Sequence, residues 1–185
     1  MIYIEAPNRE FPAAKKSIFL AGGITGCSDW QSKVKQQLED LDIVLLNPRR
    51  KDFPIDDPNA AEEQIKWEHD MFLKADIIVF WFCKETLCPI VLFELGTHTM
   101  THKPIIIGMD PDYERRQDVE IQTGLVRPDV DITYSLSDFS KSIKQIVKKE
   151  SKHLAKIQTE FLKHAQIKEP DLIKKLESIF DHWMR

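Results

Sequence analysis

Short apolar runs alternate with amphipathic stretches along the first two thirds of the chain. SIFLAGG, at 17–23, is an apolar run ending in glycines, the way a buried parallel strand enters a tight turn. It is the expected first strand of the sheet. A helix capped by Ser28 or Asp29 follows to about Leu41, with Trp30, Val34, Leu38 and Leu41 on one face at helical spacing. IVLLN, at 43–47, predicts a second strand that runs into Pro48. The aperiodic segment 49–59, rich in Pro and Asp, reads as a loop over the sheet end. Helix resumes over 60–74. IIVFWF, at 77–82, is the most apolar strand and is expected at the centre, buried on both faces. After a loop at 83–89, a helix carrying Phe93, Glu94 and His98 precedes a fourth strand at 104–108, and 131–134 is expected to close an edge.

This alternation predicts βαβ crossovers and therefore an α/β fold with a doubly wound, mainly parallel sheet flanked by helices. Ligands of such sheets bind beyond the carboxyl ends of the strands, where Gly22, Asn47 and the 83–89 loop fall. The expected α/β domain spans 1–136. From 137 the composition turns lysine-rich, and Ile143, Ile146, Val147, Leu154, Ile157 and Phe161 mark an amphipathic helix. Pro170 breaks it, and Leu172, Ile173, Leu176, Ile179, Phe180 and Trp183 predict a second, shorter one. This C-terminal helical extension, 137–185, packs on its own domain or docks on another subunit, and a homo-oligomer is expected.

Composition narrows the partners. A formal net charge of −4, with 30% charged and 42% hydrophobic residues, offers no basic field for a polymeric nucleic acid. The longest apolar run, 77–83, is far too short to cross a bilayer, and the opening MIYIEAPNREFPAAKK has no apolar run of signal-peptide length. Cys27, Cys83 and Cys88 lack paired CxxC spacing, so neither a disulfide framework nor a zinc site is suggested. The expectation is a soluble cytoplasmic protein without metal or cofactor, and without membrane or nucleic-acid partners.

Glu94, within LFELG, is placed early in a helix behind a buried strand, where the macrodipole favours its anion. An ionised carboxylate is what a glycosyl-accepting nucleophile needs. Glu68 and Asp70, on the preceding helix, supply a second carboxyl group of the kind glycoside cleavage uses. The plain alternatives are a helix-dipole Glu and a solvated helix face. The turn GGITG, at 22–26, resembles a phosphate cradle, with Gly22 and Gly23 permitting close backbone approach. Arg49, Arg50, Arg115 and Arg116 are candidate phosphate contacts or ordinary surface. Glu94, His98 and His102 are spaced four apart, a weak metal pattern without HExxH; His98 reads better as a partner of Glu94. Trp67 and Trp81 either stack on a base or belong to the core.

Taken in order, IFLAGGITG, then NP, then WEHDMFLKAD before IIVFWF, then FELGTH, resemble the nucleoside 2-deoxyribosyltransferase superfamily over 17–133. The resemblance implies a Rossmann-like or flavodoxin-like sheet and a retaining mechanism on a nucleoside or nucleotide. Glu94 would attack the anomeric carbon, and Glu68, eight residues before Asp76, would position the sugar or assist proton transfer. Gly22 and Gly23 would border the sugar or phosphate, with Trp30, Asn47, Trp67, Asp70, Trp81 and His98 as further substrate contacts. The sequence departs from the family pattern at Phe19, where a Tyr is usual, at Cys88, where an Asp is usual, and at Glu68, where an Asp is more usual. Transfer to another base or to water, cleavage of NAD or a similar dinucleotide, and a non-catalytic nucleotide-sensing module are the functions left open.

Overall fold

A computed structural model describes residues 1–164 together with Lys174 and Ser178. In order it contains β1 (Ile2–Glu5), β2 (Ser17–Gly22), α1 (Trp30–Gln37), β3 (Val44–Asn47), α2 (Ala60–Lys74), β4 (Ile77–Phe82), α3 (Pro89–Thr99), β5 (Ile105–Met109), α4 (Arg116–Val126), β6 (Ile132–Thr133) and α5 (Leu136–His164). The strands form one parallel sheet in the order β1-β3-β2-β4-β5-β6. This is the expected α/β architecture with two additions. The strand at 17–23 is second in the chain, because β1 pairs with β3 at the edge, where it buries one residue fully and leaves no continuous apolar run to read. Helix α4, between β5 and β6, also goes beyond the elements expected. The short helix expected after Pro170 lies outside the described residues.

Every residue of β2 and β4 is buried, as the two apolar runs require. Strand alternation sorts their side chains between the two faces. On one face Phe19 lies 4.1 Å from Phe72 and 6.0 Å from Trp67 of α2, centroid to centroid, with Phe80 beyond them. On the other, Trp81 packs against Trp30 of α1 and Phe139 of α5. Gly108 makes room there, since a Cβ would meet Phe139 at 2.6 Å and Trp81 at 2.7 Å. The chain divides into compact units Met1–Ile143 and Lys144–Arg185, and Phe139 and Ile143 are fully buried within the first. No described helix is long and apolar enough to cross a membrane.

The start of the two central strands is knotted by side chains. Asp76 Oδ2 accepts from the Ser17 backbone N–H at 2.7 Å and from its hydroxyl at 2.8 Å, while the Asp76 N–H donates to the Ser17 carbonyl at 3.0 Å. These bonds pin β2 beside β4 in the register that pairs Ile18 with Ile77. Asp76→Ala leaves two part-buried donors unpaired at a cost of about 1–3 kcal/mol. Thermal unfolding should therefore show a midpoint lower by roughly 3–10 °C, and a shift below about a degree would mean the register is held elsewhere.

Candidate active site

From β2 the chain crosses outward to β3 and then returns past β2 to β4, so strand order reverses between β2 and β4. Their carboxyl ends diverge into the crevice where doubly wound sheets bind ligands. A cavity of about 340 Å³ opens there, walled by Phe19, Ala21, Gly22 and Gly23 from β2 and its turn, Ile65 and Glu68 from α2, and Cys88 to Val91 with Glu94 from α3. Ile65 and Ile90 are each 65% exposed at its wall, apolar surface left for a ligand to cover. A cavity of similar size, about 360 Å³, lies between α3 and α4, but its Asp118 is already paired with Arg115 and it has no second carboxyl group.

Glu68 and Glu94 reach this cavity from α2 and α3, the helices before and after β4. In α2, burial of Trp67, Met71 and Phe72 against the sheet leaves Glu68 at the edge of the buried stripe. Its Oε1 accepts from Gln64 Nε2 at 2.8 Å, and that amide also donates to the Pro48 carbonyl at 2.7 Å, so Gln64 orients Glu68. In α3, burial of Val91, Leu95 and Thr99 sets Glu94 on the neighbouring flank. No side chain or backbone group hydrogen-bonds the Glu94 carboxyl among the described residues. Burial, and after it the charge of Glu68, pushes Glu94 up to about 8. Burial raises Glu68 as well, against the opposing hydrogen bond from Gln64. The anion expected from the helix dipole is thus not favoured: Glu94 sits in the second turn, past the free N–H groups, where desolvation and a like charge win. Near neutral pH Glu94 therefore holds its proton.

The other candidates separate into wall and scaffold. Gly22 and Gly23 line the cavity, yet their missing side chains serve packing: a Cβ on Gly22 would fall 2.5 Å from the Trp81 carbonyl, and one on Gly23 2.4 Å from Cys27 Sγ. The next helix is no open anion cradle, since Asp29 caps it by accepting from Ser32 N–H at 3.1 Å. Trp30 and Trp67 are fully buried and donate their indole N–H groups to Gly23 and Asn8 carbonyls at 3.0 and 2.7 Å. Trp81 lies in the core between Trp30 and Phe139. Asn47 is spent on Tyr3 and both backbone groups of Arg49. Asp70 pairs with Arg9. His98 stacks on Phe72 at 4.5 Å, burial lowers its pKa, and it does not line the cavity; His102 lies beyond the end of α3. Arg49 donates to the Gly23, Cys27 and Ser28 carbonyls, clamping the turn, while Arg50, Arg115 and Arg116 pair with carboxylates.

Two features go beyond the sequence reading. The cavity wall takes Ile65, Thr86 and Ile90 from positions whose pattern marks only a helix face or a loop. The three cysteines, dispersed in sequence, meet around Gly23. Cys88 holds a left-handed backbone (φ 48°) just before α3, with its N–H donating to the Thr86 hydroxyl at 3.3 Å and Tyr113 fixing Leu87 through a 2.8 Å hydrogen bond to its carbonyl. Hydrogen bonding from Cys83 holds the Cys88 thiol below its ordinary value, and the same contact pushes Cys83 up. Only the conformation of 83–88 reveals this cluster.

A family model described as nucleoside 2-deoxyribosyltransferase like matches residues 15–113, which contain β2 to β5, both glutamates and all three cysteines. No curated protein matches the chain.

The burial of Glu94 has a signature in stability. Between its ordinary value of 4.5 and about 8, the folded chain keeps a proton that the unfolded chain releases, so stability falls as pH rises through that window. Glu94→Gln removes this penalty. Its melting temperature should exceed the parent's by several degrees at about pH 9 and converge with it at about pH 4, by scanning calorimetry. A difference independent of pH would place the penalty elsewhere.

Proposed function

The chain belongs to the nucleoside 2-deoxyribosyltransferase-like family, and from that premise we propose that it cleaves the N-glycosidic bond of a nucleoside in the Glu68–Glu94 cavity. The observation that carries this reading is the pair of desolvated carboxyl groups brought to the switch point of the sheet by α2 and α3. Glu94, in its ionised form, attacks the anomeric carbon. The C–N bond breaks, and its electron pair leaves with the base. Positive charge growing on the sugar favours the Glu94 anion most at the transition state. A second base or water then attacks the anomeric carbon and releases Glu94 from the glycosyl ester, which retains configuration at that carbon. Glu68, held by Gln64, holds a sugar hydroxyl or handles the proton.

The wall favours an uncharged substrate. Among the described residues it carries no Lys or Arg, and Arg49 beside it is occupied by three carbonyls. A 5′-phosphate or dinucleotide pyrophosphate would find no cation here. The apolar side chains of Phe19, Ile65, Ile90 and Val91 suit the faces of a base instead.

The protein incubated with a panel of deoxynucleosides, deoxynucleotides and NAD, with and without an acceptor base, should release base mainly from nucleosides. Glu94→Ala should lower that rate at least about a thousandfold; an unchanged rate would sink the proposal. The parent's kcat/KM should rise with pH through about 8 as Glu94 ionises. In Glu68→Gln the residual activity should rise at lower pH, because the like charge that helps hold the Glu94 proton is gone. An inflection left in place would mean the two carboxyl groups are not coupled.

A further inference from the structure

We propose that Cys27, Cys83, Cys88 and Glu85 form a binding site for a thiophilic divalent cation of the zinc class, in the wall of the cavity. The three sulfurs come from three segments, the turn after β2, the end of β4 and the residue before α3, and converge on one point. A Cβ on Gly23 would lie 2.4 Å from Cys27 Sγ and 3.0 Å from the Sγ atoms of Cys83 and Cys88. All three sulfurs thus lie within 3.0 Å of one point beside Gly23, and ligation at the ~2.3 Å of a zinc–thiolate bond requires them to draw together around an ion. The ion takes the side of the trio away from the Gly23 backbone. The sulfurs of Cys27 and Cys83 and a carboxylate oxygen of Glu85 lie within 4.8 Å of one another, so the fourth donor is already beside them. Tetrahedral ligation would bring the sulfurs to about 3.8 Å from one another.

The thiols have little else to do. Cys83 reaches the Gly23 carbonyl only at 3.9 Å, Cys27 reaches the Thr86 hydroxyl at 3.7 Å, and Cys88 contacts the same hydroxyl at 3.2 Å. Beyond these the thiols hydrogen-bond only among themselves, and the absence of a side chain at Gly23 is what allows the convergence. Glu85 is exposed and free to swing onto the ion, while Cys88 opens onto the cavity and supplies the path of entry. Three thiolates and one carboxylate make a closed four-donor set, of the kind that holds zinc structurally. The ion would tie the loop at 83–88 to the turn after β2, two walls of the cavity that also holds Glu94.

The test uses the full chain, reduced and stripped of metal, titrated with Cd²⁺ alone and read by thiolate-to-metal charge-transfer absorbance. The expected result is saturation at about one equivalent, displacement by Zn²⁺, and protection of all three cysteines together against alkylation, mapped by peptide mass. Glu85→Gln, at an exposed position, should keep the melting temperature of the metal-free chain and weaken binding about tenfold or more. Cys83→Ser should weaken it further. No charge-transfer band at one equivalent, protection of one cysteine alone, or unchanged affinity in Glu85→Gln would overturn the site. None of these readouts depends on glycosidic cleavage.

Discussion

The molecule turns on how closely β2 and β4 approach where they leave the sheet. Gly22 faces Trp81 across the ladder, and a single methyl group there would collide with the Trp81 carbonyl and the Trp30 ring. With no side chain at that point, Trp30 fits under the turn, and its indole donates to Gly23. The same step leaves Gly23 bare among three sulfurs. Glycine here is a matter of space: neither residue has a positive φ, and among the glycines only Gly26, with φ 73°, uses the left-handed region. The Asp76–Ser17 knot at the other end of the strands aligns them, so β4 delivers α3 beside the end of β2. Everything in the cavity inherits its position from these two constraints.

The carboxyl groups then acquire their character from where that geometry sets them. A Glu on a solvated helix face keeps its ordinary acidity, and its placement on a helix means little. Glu68 and Glu94 instead share one desolvated space, so burial raises both and the charge of Glu68 makes ionisation of Glu94 harder still. That arrangement keeps Glu94 protonated up to about pH 8 in the free chain. The cost is carried by the folded state, whose stability declines with rising pH through the Glu94 titration.

Much of this was legible in the sequence because burial on both faces leaves an unbroken apolar run. The runs at 17–22 and 77–82 announced the central strands, and the ordered motifs around Glu68 and Glu94 announced the family that the match to 15–113 shows. Edge strand β1 was not legible, since an edge strand buries too little to make such a run. Helix α4 was missed for a related reason: within it only Val119 and Thr123 are fully buried, too sparse a stripe to stand out. The tryptophans invited a stacking role that the structure gives to the core, because an indole that is buried and satisfied looks the same in sequence as one that waits for a base. The sulfur trio was illegible altogether, since it depends on the left-handed conformation of Cys88 and the bend of 83–88, which no spacing rule encodes.

Local rules are broken most densely around α3. Cys88 takes a positive φ, which a residue with a side chain adopts at some cost, and it offers its helix no side-chain cap. One turn on, Glu94 is buried without a hydrogen bond, and a turn further His98 Nδ1 is buried without a partner. Gln64 Oε1, beside Glu68, is in the same position. Orphaned atoms also occur at Gln31 and Ser140, so an unpaired group alone marks nothing. The concentration differs: an unfavourable backbone, an unpaired acid and the unpaired Gln64 oxygen flank one cavity, while Trp30, Trp67, Asn47 and Arg49 close by are hydrogen-bonded. A chain that satisfies its scaffold and leaves its cavity unsatisfied has kept there the groups a ligand must complete. Of the sulfur trio, Cys88 stands directly before the helix that presents Glu94, so the conformation of that thiol and the placement of the acid are set by one stretch of backbone.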